Sequence, residues 1–264
     1  MLTDSQLEYY WTNGFLAIPE FYDRDETRAL QQEVERLQHE GLLRDVSTDT
    51  MHSNLQLVAT WRHSELLRDV PFHPKLARVV SQIVGQPAFL YFDQIFLKPA
   101  RHGAGTSWHQ DNDYFHLRDP RQGVAVWTAV HAATVANGAM RFIPGSQSEA
   151  LPHRRDQMSD HHVRCYPDES KAVLTELPAG GVVIFTFNTA HATGANGTDN
   201  LRAGFALHFA NVEGATGAGI HHGRDGQPLK YIPGTPGKPI ISGPHFSAGR
   251  AEYEADCSAR WHVT

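Results

Sequence analysis

From Pro87 onward the chain is a succession of short runs that leave little room for anything except β-structure. Residues 89–97, 107–111, 123–132, 139–143, 173–177, 182–187, 191–193 and 202–211 are rich in Val, Ile, Phe and Thr, and Gly, Pro or Asn closes off each run. Branched and aromatic side chains suit a pleated, half-buried surface, and no helical repeat separates one run from the next. Strands without crossover helices pair antiparallel, so a sandwich or barrel is expected. Asn137-Gly138 and the segment 196–200 read as hairpin turns within it.

The first third is helical. Thr3, Asp4 and Ser5 can cap a short helix that Asn13-Gly14 stops, and residues 15–19 are extended. Between Asp23 and Glu40, Leu30, Val34 and Leu37 recur at helical spacing among Glu, Gln and Arg, the pattern of a helix half sunk in a core. Residues 74–84 form another, with Pro at its opening and Gly85 beyond its end. Residues 42–71 show no period, and a loop of that length in a compact domain is expected to wall a substrate site. With no linker or repeat in 264 residues, one domain is expected. It comprises a helical part with a substrate-side loop (1–86), a β core (87–212) and a C-terminal wrap (213–264) rich in Gly, Pro and His.

A formal charge of -6 without a basic cluster argues against nucleic acid as a partner. The same mild negative charge is compatible with a cationic or polyhydroxylated small-molecule substrate. No run approaches the length of a membrane span, and the first residues lack the basic-then-apolar pattern of an export signal. Two cysteines, Cys165 and Cys257, match no zinc or redox spacing, so a reducing, cytoplasmic location is expected.

Residues two apart on a strand share a face, so a strand over 107–111 aims His109 and Asp111 into one cavity and turns Gln110 away. In a chain with 17 His that pair alone is weak. His191, just after the apolar run VVIFTF, supplies a third ligand, and Arg202 opens the next strand. Alternation there sets Arg202, Gly204, Ala206 and His208 on one face, where the small residues leave room for a ligand. Ala203, Phe205, Leu207 and Phe209 form the other face, ready to pack under the helices. Two imidazoles and one carboxylate with open positions match the facial triad of non-haem Fe(II) oxygenases. A guanidinium beyond the metal can grip the distal carboxylate of a 2-oxo acid in a fork that Lys cannot reproduce. The same ligands could hold Zn for hydrolysis, which leaves Arg202 unexplained, or belong to a non-enzymatic sugar- or metal-binding barrel. Asn54, Gln56, Trp61, Asp113 and Tyr114 are the candidate substrate contacts, whereas His131, His208 and His221-His222 read as packing or surface groups.

The motifs FLAIPEF, QIFLKPA, WHQDNDYF, AVWTAV, ANGAMRFIPGS, PAGGVVIF and HATGANGTDNLRAGFALHFA occur in this order, and the chain in this respect resembles the phytanoyl-CoA dioxygenase family of Fe(II)/2-oxoglutarate-dependent oxygenases. The resemblance spans residues 3–212 and implies a double-stranded β-helix core of the jelly-roll, cupin-like kind. It implies His109, Asp111 and His191 as iron ligands and Arg202 as the residue for the distal carboxylate of 2-oxoglutarate. Lys98, Trp127, Thr193 and Gln94 would also contact that co-substrate. O2 and 2-oxoglutarate would be consumed to give succinate and CO2. Because Asp111 is present where family halogenases carry a small residue, hydroxylase-type C–H oxidation of a small molecule is expected.

Overall fold

The computed structural model describes residues 1–216, 221–222, 228–229 and 237–243. Most of the expected C-terminal wrap, with His221-His222 and Cys257, lies outside the described side chains. Helix α1 (Asp4–Asn13) starts at Thr3, whose side chain and that of Gln6 cap each other's backbone, and Gly14 ends it at φ 85°. Strand β1 (Phe15–Ile18) leads to α2 (Arg24–His39), where Asp23 and Glu26 form a second capping box and Leu30, Val34 and Leu37 are buried.

Residues 42–71 are more ordered than their lack of period suggests. They contain β2 (Arg44–Asp45), β3 (Leu55–Val58) and α3 (Glu65–Asp69) before α4 (Pro74–Val84) and β4 (Ala88–Lys98). The short strand β3 pairs along β4 from Leu55↔Leu97 to Val58↔Gln94, so its conformation is imposed by a neighbour distant in sequence.

Next come β5 (Thr106–His109), the single turn α5 (Asn112–Phe115), β6 (Gly123–Ala129), β7 (Met140–Phe142), β8 (Arg154–Arg155) and β9 (Val163–Arg164). They are followed by β10 (Val173–Thr175), β11 (Val182–Thr186), β12 (His191–Thr193) and β13 (Arg202–Asn211). Seven strands form one sheet in the order β1-β11-β6-β13-β4-β3-β2, and four form a second in the order β10-β7-β12-β5. Every pairing in both is antiparallel. The two sheets are the walls of the jelly roll.

The two expected hairpins are corrected by this topology. Strands β6 and β7 lie in different sheets, so Asn137-Gly138 ends a 3-10 turn at a corner between walls. The segment 196–200 likewise carries the chain from β12 in the small sheet to β13 in the large one. Local turn chemistry announces a reversal but not which sheet the next strand joins.

Alternation along β13 divides the core as expected. Ala203, Phe205, Leu207 and Phe209 pack outside the large sheet with Leu30, Val34 and Leu37 of α2 and Leu76, Val79 and Val80 of α4. Ala206 faces inward with Phe15, Trp127, Phe142 and Phe185. Among the described residues no helix is long and apolar enough to cross a membrane.

Candidate active site

Strands β5 and β12 are neighbours in the small sheet with His109 and His191 directly opposite. Such a pair projects side by side from one face, and the two imidazole centroids are 4.2 Å apart. Asp111 reaches the same point by a different route from the one its spacing suggests. The strand ends at His109, and Asp111 has helical angles (φ -58°, ψ -29°) at the start of α5. The Asn112 amide donates to the Phe187 carbonyl at 2.7 Å, which pins this turn. Gln110 faces away from the cavity, as expected, and its buried amide bonds to the carbonyls of Asn188 and Glu149 and to the Leu151 N–H.

One ligand atom from each of His109, Asp111 and His191 lies within 4.8 Å of the others. Asp111 Oδ1 is 3.6 Å from His109 Nε2 and 3.7 Å from His191 Nε2. Each imidazole uses Nδ1 on a backbone carbonyl, His109 on Ser107 at 2.8 Å and His191 on Thr189 at 2.9 Å, which leaves both Nε2 lone pairs for the cavity. Burial pushes both imidazoles below their usual range, His191 to about 3 with His109 adding to the effect. Burial would raise Asp111, yet His191, His208 and His109 hold its carboxyl well below the ordinary value. Neutral imidazoles beside an ionised carboxylate are the protonation states a divalent cation requires. The donor set fits ferrous iron.

The second group of candidates is equally specific. Arg202 and Lys98 are opposed on β13 and β4 and are both 1% exposed. Arg202 donates to the Asn137 and Gly138 carbonyls and lies 5.3 Å over the Trp127 ring, and Lys98 donates to the Ala104 carbonyl. Among the described residues neither has a carboxylate within ion-pair distance. Burial lowers Arg202 to about 9, so it stays charged at neutral pH, and burial with Arg202 beside it pushes Lys98 well below its usual range. Two buried basic groups without an acid form a receptor for an anion. This fits 2-oxoglutarate.

His109, Asp111, His191, Lys98 and Arg202 open into one cavity of about 870 Å³. Its wall includes Trp127, Thr193, Gln94, Gln56 and Tyr114 from the sequence-based candidates. Gln56 Nε2 donates to Gln94 Oε1 at 2.7 Å, and the Thr193 hydroxyl accepts the Thr106 N–H at 3.1 Å. The ring of Tyr114 packs edge-on to His109, while its hydroxyl accepts the Val163 N–H at 2.9 Å. Asn54, Trp61 and Asp113 do not line the cavity. Asn54 is buried behind Thr106, Trp61 belongs to the helical side of the core, and Asp113 turns to His153 at 3.4 Å.

Several wall residues were not legible as site residues. Arg44 and His161 are both paired with Asp160, which ties β2 to the loop after β8 along the cavity wall. His162 stands edge-on to Phe96, and His208, expected as a packing or surface group, packs among Phe92, Phe115 and Phe187, is 3% exposed and lines the cavity. Gly204, beside the wall, takes a different role from the one its small size suggests. A Cβ there would lie 2.2 Å from Trp127 Cζ2, so the space beside Arg202 is filled by the indole and not left for ligand. Gly204→Ala is expected to cost about 1–3 kcal/mol through overpacking, or about 3–10 °C in thermal midpoint. It should also raise the 2-oxoglutarate requirement by shifting Trp127 off Arg202. A melt and a 2-oxoglutarate titration check both effects, and unchanged values in each would show that the indole has room to move.

A jelly roll with two imidazoles and a carboxylate converging beside buried, acid-free basic groups defines an Fe(II)- and 2-oxoglutarate-dependent oxygenase. The chain belongs to the phytanoyl-CoA dioxygenase (PhyH) family, whose model matches residues 10–204. It is 26% identical over 228 residues to the ectoine dioxygenase of Halomonas elongata, covering 76% of this chain and 68% of that one. It is also 26% identical to the peroxisomal phytanoyl-CoA dioxygenase of Mus musculus, covering 81% of this chain and 70% of that protein. Among solved structures, EvdO2 from Micromonospora carbonacea var. aurantiaca complexed with 2-oxoglutarate superposes with TM-score 0.65 at 26% identity, covering 80% and 91% of the two chains. The carbocyclase SnoK from nogalamycin biosynthesis shares the fold, with TM-score 0.72 at 20% identity over 87% and 94%.

Proposed function

We propose that this oxygenase oxidises a C–H bond of a small molecule with an apolar, ring-sized body and no positive charge, and that His109, Asp111 and His191 hold the iron while Arg202 and Lys98 receive 2-oxoglutarate. With iron bound, O2 would be the oxidant: one of its oxygen atoms would enter 2-oxoglutarate, which leaves as succinate and CO2, and the other would serve the substrate C–H bond. The protein's own contribution is placement. The two Nδ1–carbonyl bonds fix the imidazole rings, the peptide carbonyls of Asn137 and Gly138 aim the guanidinium, and Trp127 roofs it. Phe92, Phe96, Tyr114 and Phe115 form walls that exclude stray water from the reacting centre.

The observation that carries the substrate reading is the charge on those walls. Asp111 is the only carboxylate lining the cavity among the described residues, and the metal would take it. Arg44, His116, His161 and His162 line the remainder. A cationic substrate would be desolvated there without a counter-charge, a cost of several kcal/mol. The mild negative charge of the whole chain therefore does not extend into the site. A natural-product intermediate is in keeping with the likeness to SnoK from nogalamycin biosynthesis; a sugar-like substrate would have to satisfy its hydroxyls on the same few polar groups.

Anaerobic addition of Fe(II) and then 2-oxoglutarate should give a weak charge-transfer band, and air with ascorbate should then yield succinate. A sugar- or metal-binding module would make none. A zinc hydrolase would retain activity without oxygen. In a panel of ring compounds, succinate release should rise above the substrate-free rate for neutral or anionic members; preferential stimulation by cations would overturn the charge argument.

A further inference from the structure

We infer that His208 is a positioning residue that holds the second oxygen of Asp111, so that the carboxylate meets the metal through Oδ1 alone. The inference rests on the metal reading of His109, Asp111 and His191. The two oxygens of Asp111 face different neighbours. Oδ1 is the atom close to both ligand imidazoles, at 3.6 Å and 3.7 Å. Oδ2 points the other way, and His208 Nε2 lies 3.3 Å from it. Buried Oδ2 makes no hydrogen bond among the described residues, and His208 Nε2, within ion-pair range, is the group placed to supply one.

The surroundings of His208 make its identity informative. Its ring is packed among Phe92, Phe115 and Phe187 with centroids 5.8, 5.2 and 5.9 Å away, and it is 3% exposed. Nδ1 has no hydrogen-bond partner. A phenyl or leucyl group would fill such a cage without burying an unsatisfied nitrogen, so packing gives no reason for an imidazole. The reason is Oδ2. With Nδ1 enclosed by phenyl rings, the proton belongs on Nε2, where it faces the carboxylate.

The consequence concerns coordination number. Three protein atoms on one face leave three positions, two for the 2-oxo acid and one for O2. A carboxylate free to turn can bring both oxygens to a metal and occupy a position the reaction needs. Holding Oδ2 from behind prevents that rotation. His208 is also on the strand that carries Arg202, six residues away, so one strand orients both ends of the site.

The test compares His208→Phe, which keeps a ring but loses the donor, with His208→Gln, whose side-chain nitrogen can replace Nε2. Anaerobic Fe(II) affinity is the first readout, and the position of the 2-oxoglutarate charge-transfer band is the second. Loss of an outer hydrogen-bond partner typically weakens metal binding about 10–100-fold. His208→Phe is expected to fall in that range and shift the band, with His208→Gln recovering most of both. The melting temperature of the metal-free proteins should stay close to the parent, and His208→Leu replaces the Phe variant if that protein fails to fold. An Fe(II) affinity and band unchanged in His208→Phe overturn the inference alone. A parent protein that binds no Fe(II) overturns the metal reading, and the inference with it.

Discussion

Replacing Asp111 with Ala is expected to abolish succinate formation and to weaken ferrous binding by more than about 100-fold, beyond the range set by loss of an outer hydrogen-bond partner. Asp111 is the single anion on the cavity wall among the described residues, and Arg202 and Lys98 stand on the same wall. Without it a dication would enter an electropositive chamber with two neutral imidazoles as its ligands. The substitution also removes the partner of His208 Nε2. Asp111→Asn preserves the shape and should fail for the same reason, because an amide brings no negative charge. Metal titration under anaerobic conditions, with the circular dichroism of the metal-free variants as a folding check, measures the effect. A folded Asp111→Ala protein that kept a tenth of the parent turnover would mean that the carboxylate is not a ligand.

How much of this centre can be read from sequence follows from how far its parts lie along the chain. His191 is legible because it follows the apolar run VVIFTF and Arg202 because it opens the next strand, and alternation in RAGFALHF separates the cavity face from the helix face correctly. Asp111 is legible as a candidate while its backbone is not: the strand stops at His109, and what continues the chain into a helical turn is a bond to Phe187, 75 positions beyond Asn112. The hairpin readings fail for a related reason, since Asn137-Gly138 and the segment after His191 each change sheets. Strand β3 is hidden because Gln56 interrupts its apolar pattern, and that Gln is buried only because Gln94 on β4 satisfies it. Gly204 looks like spare room until Trp127, from another strand, is seen to fill it. His208 offers one faint signal, its place on the same face as Arg202, but nothing in the sequence shows that Asp111 lies opposite. Local pattern reports which face a residue takes; partners across sheets come only from topology.

Arg202→Ala is expected to raise the 2-oxoglutarate requirement about 100-fold while leaving Fe(II) affinity near the parent value. Truncating one partner of a buried, hydrogen-bonded charge pair costs about 2–5 kcal/mol, and 2.8 kcal/mol corresponds to about two orders of magnitude in affinity. The proposed iron ligands reside on β5, on β12 and at the start of α5, so the metal site need not sense the change. Lys98, directly opposite on β4, would remain but cannot compensate fully. Burial and the neighbouring guanidinium depress its pKa, and its ammonium already donates to Ala104. Removing Arg202 relieves part of that depression, so residual binding should depend on Lys98. A double variant, Arg202→Ala with Lys98→Met, should therefore lose 2-oxoglutarate binding further. Arg202→Lys separates charge from geometry: it keeps a cation but loses the planar fork that can meet both carboxylate oxygens while Trp127 supports it from one face. It should fall between the parent and Arg202→Ala. If the apparent affinity for 2-oxoglutarate is unchanged in Arg202→Ala, the buried guanidinium is a structural anchor for the Asn137-Gly138 corner, and the co-substrate must be held elsewhere in the cavity.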